Sequence, residues 1–360
     1  GLEFYQTIKI IFENFIYAKL GLVSLSLSND YYAKMPKRYN PQYVSAYKLR
    51  SIIKYLQGKD LIILHKGVFT KKLCVRTRLE ATPKLKEILR ATGLKKSELT
   101  LNEKMERIIL KDKSEDNRKI YIDYEDNEET NGLRKFILDY EGFINKFKFT
   151  SSEGKYNRLT FKRVFNNGSF QEGGRFYSDY QNLKSQIRAH TMKCDKMPLK
   201  EWDYKGMHIN MLYSMKDLPH PEGDVYTIPG YEQYRDLFKI ALQIALNATS
   251  PTKAVLGMNN HLIKNKINLK EINGKVLLEE FAKKHGPIKD YFFSGIGVHL
   301  QYMDSRICKL ILSSAMEHNI PILSVHDSFL CRECDQEFLL EQMKKFSIEV
   351  LGQELKTEGK

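Results

Sequence analysis

The chain has 360 residues, of which 42% are hydrophobic and 28% are charged, and its formal net charge is +14. This composition is ordinary for a globular protein and excludes global disorder, and the length allows two or three domains. Five cysteines form a sparse set that suits a reducing compartment. With no secretory signal and no apolar run near the ~20 residues of a membrane span, we expect a cytoplasmic protein that is neither secreted nor membrane-bound.

The excess of positive charge lies in the first third of the chain. Residues 1–112 contain 22 Lys and Arg against 10 Asp and Glu, whereas the remaining 248 residues contain 36 against 34. A concentrated positive field is typical of a protein that binds a polyanion, most often nucleic acid. A generic basic surface is the alternative that charge alone leaves open.

The first elements in chain order are two helices and a ribbon. Apolar residues at helical spacing predict helices over residues 5–18 and 44–57, and Gly58 is suited to end the second. An apolar strand over residues 61–64, a turn at residues 65–67 and an alternating strand come next. A helix followed by a two-stranded basic ribbon is the winged-helix pattern, so we predict a basic winged-helix domain over residues 1–112.

The basic side chains of this domain are the candidates for contact with nucleic acid. We expect these contacts from Lys48, Arg50, Lys54, Arg76 and Arg78, with Lys71 and Lys72 beside them in the ribbon. Winged helices also serve as protein–protein modules, and this alternative stays open.

Residues 113–132 are polar, with an acidic cluster over residues 125–129, and predict a linker. Beyond them the chain alternates short apolar strands with predicted helices, which favours an α+β fold for residues 133–360. The helices are predicted over residues 133–147, 231–247, 275–284, 298–318 and 335–351.

Two aspartates stand beside predicted strands. Asp203 ends a short segment, and Gly206 then permits a turn before an apolar run. The apolar residues 321–325 and the run after residue 328 predict a hairpin with His326 and Asp327 at its tip. Carboxylates from separate strands can converge on two Mg²⁺ ions, which would clamp the oxygens of a phosphoryl displacement. The alternative to a metal site is that both aspartates are structural residues at turns.

A basic, amphipathic helix is predicted between the two aspartates. Arg235 and Lys239 are four residues apart and therefore neighbours on one face, and Asn247 lies slightly over two turns further along roughly the same face. A paired Arg and Lys could neutralise a triphosphate. A solvated basic face is the alternative.

The order of these features resembles motifs A, B and C of family A DNA polymerases and of the phage and mitochondrial type single-subunit RNA polymerases. Asp203 matches the metal-binding aspartate of motif A. Arg235 and Lys239 match motif B, R-x₃-K-x₇-Y-G, in which Asn247 and Ala248 replace Tyr and Gly. The His-Asp-Ser run over residues 326–328 is similar to motif C of the RNA polymerases.

Two further segments strengthen the resemblance, which covers about residues 160–350. The stretch GSFQEGGRFYSDYQ resembles the D-x-x-G-R-x-Y segment that grips the template, with Arg175 and Tyr177 matching and Gln171 standing where the family has Asp. The segment before motif C resembles a helix under the palm, which places Gln301 near the duplex. Arg188 is a further candidate for contact with template or duplex phosphates.

The resemblance implies a right-hand polymerase palm, with reduced fingers because the motifs are closely spaced. It implies a compact single-subunit DNA-directed RNA polymerase that performs template-directed nucleotidyl transfer as a monomer, with a DNA template, a nucleic-acid product and nucleoside triphosphates as partners. Asp203 and Asp327 would hold two Mg²⁺, and His326 would position the tip or the primer end. Arg235, Lys239, Asn247 and His208 would bind the nucleotide.

Departures from the family pattern keep other functions open. His208 stands where DNA polymerases carry the glutamate that screens out ribose, so a DNA polymerase or primase of the same fold remains possible. Asn247 and the reduced fingers favour a winged-helix DNA-binding or replication-initiation protein whose palm is inactive. A metal-dependent nuclease is a weaker option.

Overall fold

The computed structural model describes residues 2–18, 20–69, 74–94, 99, 104–114, 119–152, 154–156 and 158–360, and the fold mixes helices with several sheets. The predicted contacts Lys71 and Lys72 lie outside the described residues. The helices are α1 (Leu2–Tyr17), α2 (Asn29–Ala33), α3 (Ala46–Gly58), α4 (Pro83–Ala91), α5 (Glu128–Ile144), α6 (Ser185–Thr191), α7 (Met207–Ser214), α8 (Arg235–Asn247), α9 (Pro251–Lys264), α10 (Gly274–Lys284), α11 (Gly297–Glu317) and α12 (Gln336–Leu351).

The strands are mostly short, and all but one of the pairings described between them are antiparallel. They are β1 (Val23–Ser24), β2 (Ile62–His65), β3 (Val68–Phe69), β4 (Cys74–Val75), β5 (Arg78–Ala81), β6 (Ile108–Lys113), β7 (Lys119–Tyr121), β8 (Phe149–Ser151), β9 (Gly154–Tyr156), β10 (Lys162–Asn166), β11 (Ser169–Tyr177), β12 (Lys193–Cys194), β13 (Met197–Tyr204), β14 (Leu323–Val325), β15 (Ser328–Arg332) and β16 (Thr357–Gly359).

Helices α1 to α4 pack with a small sheet of order β1-β5-β2, and together they form the N-terminal unit. The helix predicted over residues 44–57 is present as α3, where Ser45 caps the first turn by accepting a hydrogen bond from the Lys48 amide at 3.3 Å. Its apolar face is buried in a core with α1, α4 and the sheet. The buried members of that core are Ile11, Phe15, Ile16, Leu49, Ile52, Ile53, Leu56, Ile62, Leu79, Ala81, Leu85 and Leu89.

The basic ribbon is longer than the sequence pattern predicts. Strand β2 pairs with β5, but β3 then pairs with β4 in the register Val68↔Val75, so the chain continues past residues 65–67 before it turns back. The prediction of a hairpin turn at residues 65–67 is therefore wrong. The Gly67 amide donates instead to the Thr77 hydroxyl at 3.1 Å, which interrupts the ladder of backbone hydrogen bonds at that point.

Part of the segment predicted to be a linker forms regular secondary structure. Strand β6 pairs in parallel with β10, and its residues Ile108 and Leu110 are buried in the core that β10 and the later elements share. We call β6 and all later elements the C-terminal body, so this body begins before residue 113. Strand β7 and the first turn of α5 fall inside residues 113–132. Arg38 of the N-terminal unit pairs with Asp123 and Asp126, so the acidic stretch attaches one unit to the other.

The C-terminal body contains one sheet of order β14-β15-β13-β12-β8-β9, with β16 on β13, and another of order β11-β10-β6-β7. Helix α11 lies across β11, and α12 packs on α11. Helices α8, α9 and α10 pack against one another around Phe238 and Phe281, whose rings stack at 6.3 Å. The predicted helices of this body are present as α5, α8, α10, α11 and α12.

Within the described part of the chain, no helix has both the length and the apolar character that a membrane span requires.

Candidate active site

Strand pairing brings Asp203 and Asp327 together. In the β13–β15 ladder Asp203 lies opposite Ser328, the residue after Asp327. Val325 also pairs with Ser328, so His326 and Asp327 form the two-residue turn between β14 and β15, and the predicted hairpin is confirmed. The two carboxyl groups are close enough that the negative charge of Asp327 acts on Asp203. Both line one cavity of about 980 Å³.

His326 takes an unusual backbone conformation at the tip of this hairpin. Its φ is +60°, in the left-handed region that few residues other than Gly adopt, although Asn, Asp and His do so more often than the rest. Burial, and then the positive charge of Arg175, lower the pKa of the imidazole, so the ring is neutral near pH 7. Its Nδ1 is buried without a hydrogen-bond partner, and its ring lies 5.3 Å from the Tyr177 ring.

Asp203 is poised to hold a cation. Burial, and then the negative charge of Asp327, raise the pKa of Asp203 to about 6, although a hydrogen bond from Lys360 opposes the shift. Asp203 Oδ1 is buried and has no hydrogen-bond partner among the described residues, and leaving such an oxygen unsatisfied is costly. Its Oδ2 lies 2.9 Å from Lys360 Nζ.

The donor set fits magnesium. Within the described residues, no group of three or more His, Cys, Asp or Glu side chains forms a ready-made metal cage. Two carboxylates are nevertheless what Mg²⁺ commonly uses, because it completes its shell with water and phosphate oxygens. Asp203 and Asp327 are the residues that could hold it.

Helix α8 also lines the cavity and contributes two basic side chains to it. Arg235 is partly exposed and already paired, since its Nε and Nη2 donate to Asp224 at 2.7 Å and 3.0 Å. Lys239, one turn further on, is exposed and lines the cavity. Asn247, at the end of the helix, also lines it and donates to the Gln243 carbonyl at 2.7 Å.

Tyr226 is a cavity residue that the sequence pattern did not indicate. Its ring centre lies 5.6 Å from the Arg235 guanidinium carbon and 6.0 Å from Lys239 Nζ. Burial, and then the charges of Asp327 and Asp224, raise the pKa of Tyr226 to about 12, which keeps the phenol protonated. An aromatic ring therefore stands between the basic helix and the two aspartates.

The segment that carries Tyr226 has no regular secondary structure, and side chains at the end of α10 fix it by hydrogen bonds to its backbone. Lys284 Nζ donates to the carbonyl oxygens of Asp224 and Thr227 at 2.7 Å and 2.6 Å. The buried His285 donates through Nε2 to the Val225 carbonyl at 2.9 Å. A tyrosine in an irregular segment gives no periodic signal, which is why only tertiary structure reveals it.

A third wall contains a network around Asp304. Arg175 Nε lies 3.1 Å from Asp304 Oδ1, and His208 Nε2 lies 3.2 Å from Asp304 Oδ2. Asp304 is 2% exposed on α11, one turn from Gln301, which also lines the cavity. The structure therefore brings Arg175, His208 and Gln301 to the two aspartates.

Arg188 lies elsewhere. It is buried in α6, and its Nε and Nη2 both donate at 2.9 Å to Glu201, two residues before Asp203 on β13. Burial would raise the pKa of Glu201, but the hydrogen bonds from Arg188 and Ser328 hold it below its ordinary value. The Arg188 guanidinium is buried against the Glu201 carboxylate, so it lacks the exposed surface that the predicted contact with a phosphate requires.

The candidate contacts of the N-terminal unit differ in what they offer. Lys54 and Arg76 are exposed, whereas Arg78 is half-buried and its Nε is buried without a partner. Lys48 Nζ and Arg50 Nη1 donate to backbone carbonyl oxygens of the same unit at 3.0 Å and 2.9 Å. Lys54 and Arg76 are therefore the pair best placed to meet a polyanion.

No model of a known protein family matches the chain, and comparison with curated proteins finds no relative. The polymerase resemblance accordingly stands on the residues and geometry of this chain, and it remains a hypothesis.

Proposed function

We propose that the protein is a template-directed nucleotidyl transferase, a compact single-subunit RNA polymerase built on a right-hand palm with reduced fingers. One observation carries the proposal: Asp203 and Asp327 are neighbours at the β14–β15 hairpin, and they line a cavity that Arg235 and Lys239 also line. Carboxylates and cations that line one cavity suit a metal-bound triphosphate.

Each side chain has a defined task in the proposed reaction. Mg²⁺ bound by Asp203 and Asp327 would stabilise charge on the attacking and leaving oxygens of the displacement. Lys239 neutralises the triphosphate, and Arg235 joins it if its pair with Asp224 opens. Arg175, held by Asp304, supports the template strand where that strand passes the carboxylates.

The N-terminal unit is proposed to be a winged helix that binds the template. Support comes from the element order, with three helices and a short strand before the ribbon and a sheet of order β1-β5-β2. Its high positive charge also supports the proposal. Binding through phosphates releases counterions, so template affinity should fall steeply as salt rises.

A second candidate function is favoured by the way the cavity charges are paired. Arg235 is bound to Asp224 and Lys360 to Asp203, so two of the charges needed for catalysis are already neutralised within the chain. A DNA-binding or replication-initiation protein with an inactive palm would tolerate these pairs without any cost to function.

Primer extension on a defined template, with Mg²⁺ and with ribonucleotides and deoxyribonucleotides in separate reactions, tests the proposal. We expect synthesis by the wild type and its loss, by at least about a thousandfold, in Asp327→Asn, because electrostatic stabilisation of the transferring phosphoryl group is usually the largest single contribution. DNA binding should survive the change. Asp139→Asn is the matched control, because Asp139 is an exposed acid on α5 that pairs only with Lys135.

The outcome of this experiment separates the candidates. Synthesis from deoxyribonucleotides would identify a DNA polymerase or primase of the same fold. A wild-type chain that binds the template but extends no primer with either nucleotide type would support the DNA-binding protein and remove the polymerase proposal.

A further inference from the structure

The residue that touches Asp203 most closely comes from the C-terminal strand. Strand β16 pairs with β13 in the register Asp203↔Glu358, and the Lys360 amide donates to the Glu201 carbonyl at 2.9 Å. Leu355, just before the strand, is 1% exposed and anchors it in the core. The backbone at Lys360 is therefore fixed beside the strand that carries Asp203.

The Lys360 side chain lies across two carboxylates. Its Nζ is 2.9 Å from Asp203 Oδ2 and 3.3 Å from Glu201 Oε1. Glu201 already accepts two hydrogen bonds from Arg188 and one from the Ser328 hydroxyl, so its charge is satisfied without Lys360. Asp203 has no other basic side chain at ion-pair distance among the described residues, and Lys360 is thus its counter-ion.

A metal ion bound to Asp203 would share this carboxylate with the Lys360 ammonium, which lies on its Oδ2. A divalent ion held by Asp203 and Asp327 would lie close to the Lys360 ammonium, and like charges at short range repel strongly even at an effective dielectric constant of ~20. The Lys360 side chain is 36% exposed, so part of this repulsion is screened and the side chain has room to turn into solvent.

We propose that Lys360 is a counter-cation of Asp203 that a divalent metal ion must displace. Lys360 therefore weakens the binding of a metal ion when no nucleotide is bound. A metal ion that arrives together with a triphosphate brings its own anionic ligands and overcomes this competition more easily than a free ion. The inference rests on the metal role assigned to Asp203 in the proposed function, but it does not require that the chain synthesise nucleic acid.

Titration with Mn²⁺, followed by the loss of the free-ion electron paramagnetic resonance signal, measures the affinity without nucleotide or template. Lys360→Gln keeps the backbone pairing of β16 and removes the charge, and we expect it to tighten Mn²⁺ binding by about tenfold. Lys360→Arg keeps the charge and should bind within about threefold of the wild type. Asp203→Asn should abolish the binding, which locates the ion.

Lys356→Gln is the matched control. Lys356 lines the same cavity and carries the same charge but forms no ion pair with Asp203, so its loss should change the affinity by no more than about threefold. Equal or weaker binding in Lys360→Gln, tightening of the same size in Lys356→Gln, or binding that survives Asp203→Asn would each overturn the inference. Tightening in a protein that never extends a primer would keep the inference and remove only the polymerase proposal.

Discussion

Replacing Arg188 with methionine leaves a carboxylate without its main partner in a place that water does not reach. Glu201 is fully buried, and Arg188 supplies two of its hydrogen bonds. Breaking a buried ion pair on one side costs about 3–5 kcal/mol, because the remaining charge stays desolvated. Ser328 and Lys360 still contact Glu201, so we expect the lower end, a loss of about 3 kcal/mol in the free energy of unfolding.

Urea denaturation followed by fluorescence measures this loss, because the only tryptophan, Trp202, is next to Glu201 on β13. The double variant Arg188→Met with Glu201→Leu should recover at least about 2 kcal/mol, since no charge is then left buried. The exposed Lys184→Met, on the same segment, should stay within about 0.5 kcal/mol of the wild type.

Two results would refute the structural role of Arg188. One is a loss of less than about 1 kcal/mol in the free energy of unfolding, which would mean that Arg188 is not the main partner of Glu201. The other is a salt dependence of DNA binding whose slope falls by about one in Arg188→Met, since that change is the mark of a lost phosphate contact.

Three further predictions concern the cavity and its support. Burial lowers the pKa of His285 in the folded chain to about 4, below the ordinary value of about 6.5 that it has in the unfolded chain. As the pH falls below about 6.5, the unfolded chain takes up a proton on this residue before the folded chain does, so the free energy of unfolding decreases. The fall in unfolding free energy from pH 7 to 4.5 should therefore be about 2–3 kcal/mol smaller in His285→Gln than in the wild type, and equal falls would contradict the assignment. If Tyr226 stacks on the nucleobase, Tyr226→Ala should raise the KM for nucleotide about tenfold with little change in kcat, because the ring is lost. Tyr226→Phe keeps the ring and should have a KM near that of the wild type. A rise of the same size in Tyr226→Phe would assign the effect to the hydroxyl instead. Asp224→Asn should free Arg235 and lower that KM by about two- to fivefold, and a higher KM would mean that Asp224 positions the arginine.

The elements that the sequence predicts are those that leave a local periodic signal. Helix α11 repeats buried residues along one face, and the hairpin tip at His326 and Asp327 is bounded by two apolar runs, so both can be read from short-range pattern. Helix α9 leaves the same kind of signal, because Ser250 caps it, Pro251 begins it and its buried residues Ala254, Met258 and Leu262 are spaced four apart. Its absence from the predicted helices therefore has no physical cause in the sequence.

The partners of charged side chains were the part that the sequence could not predict. Arg188 and Arg235 look alike in a sequence, but one is enclosed by Glu201 and the other is half-exposed beside Asp224. Whether such an arginine is buried or exposed depends on its acidic partner, and the partner comes from a strand or segment that approaches it only in the folded chain. The same holds for Lys360, whose place beside Asp203 results from the pairing of β16 with β13.

The arrangement of charge in the cavity constrains its ligand more than any single residue does. Asp203 on β13 and Asp327 at the hairpin tip line the cavity together with Lys239 and Arg235 of α8, and Arg175 and Lys356 line it as well, so the lining carries charges of both signs. A ligand with charges of one sign would be repelled by part of this lining. In the proposed function, a polyphosphate that carries a divalent ion would match both signs, with its metal at the carboxylates and its phosphates at the basic side chains. In the proposed function, an aromatic base would stack on the Tyr226 ring beside Arg235 and Lys239, which favours a nucleoside triphosphate over inorganic polyphosphate as the ligand.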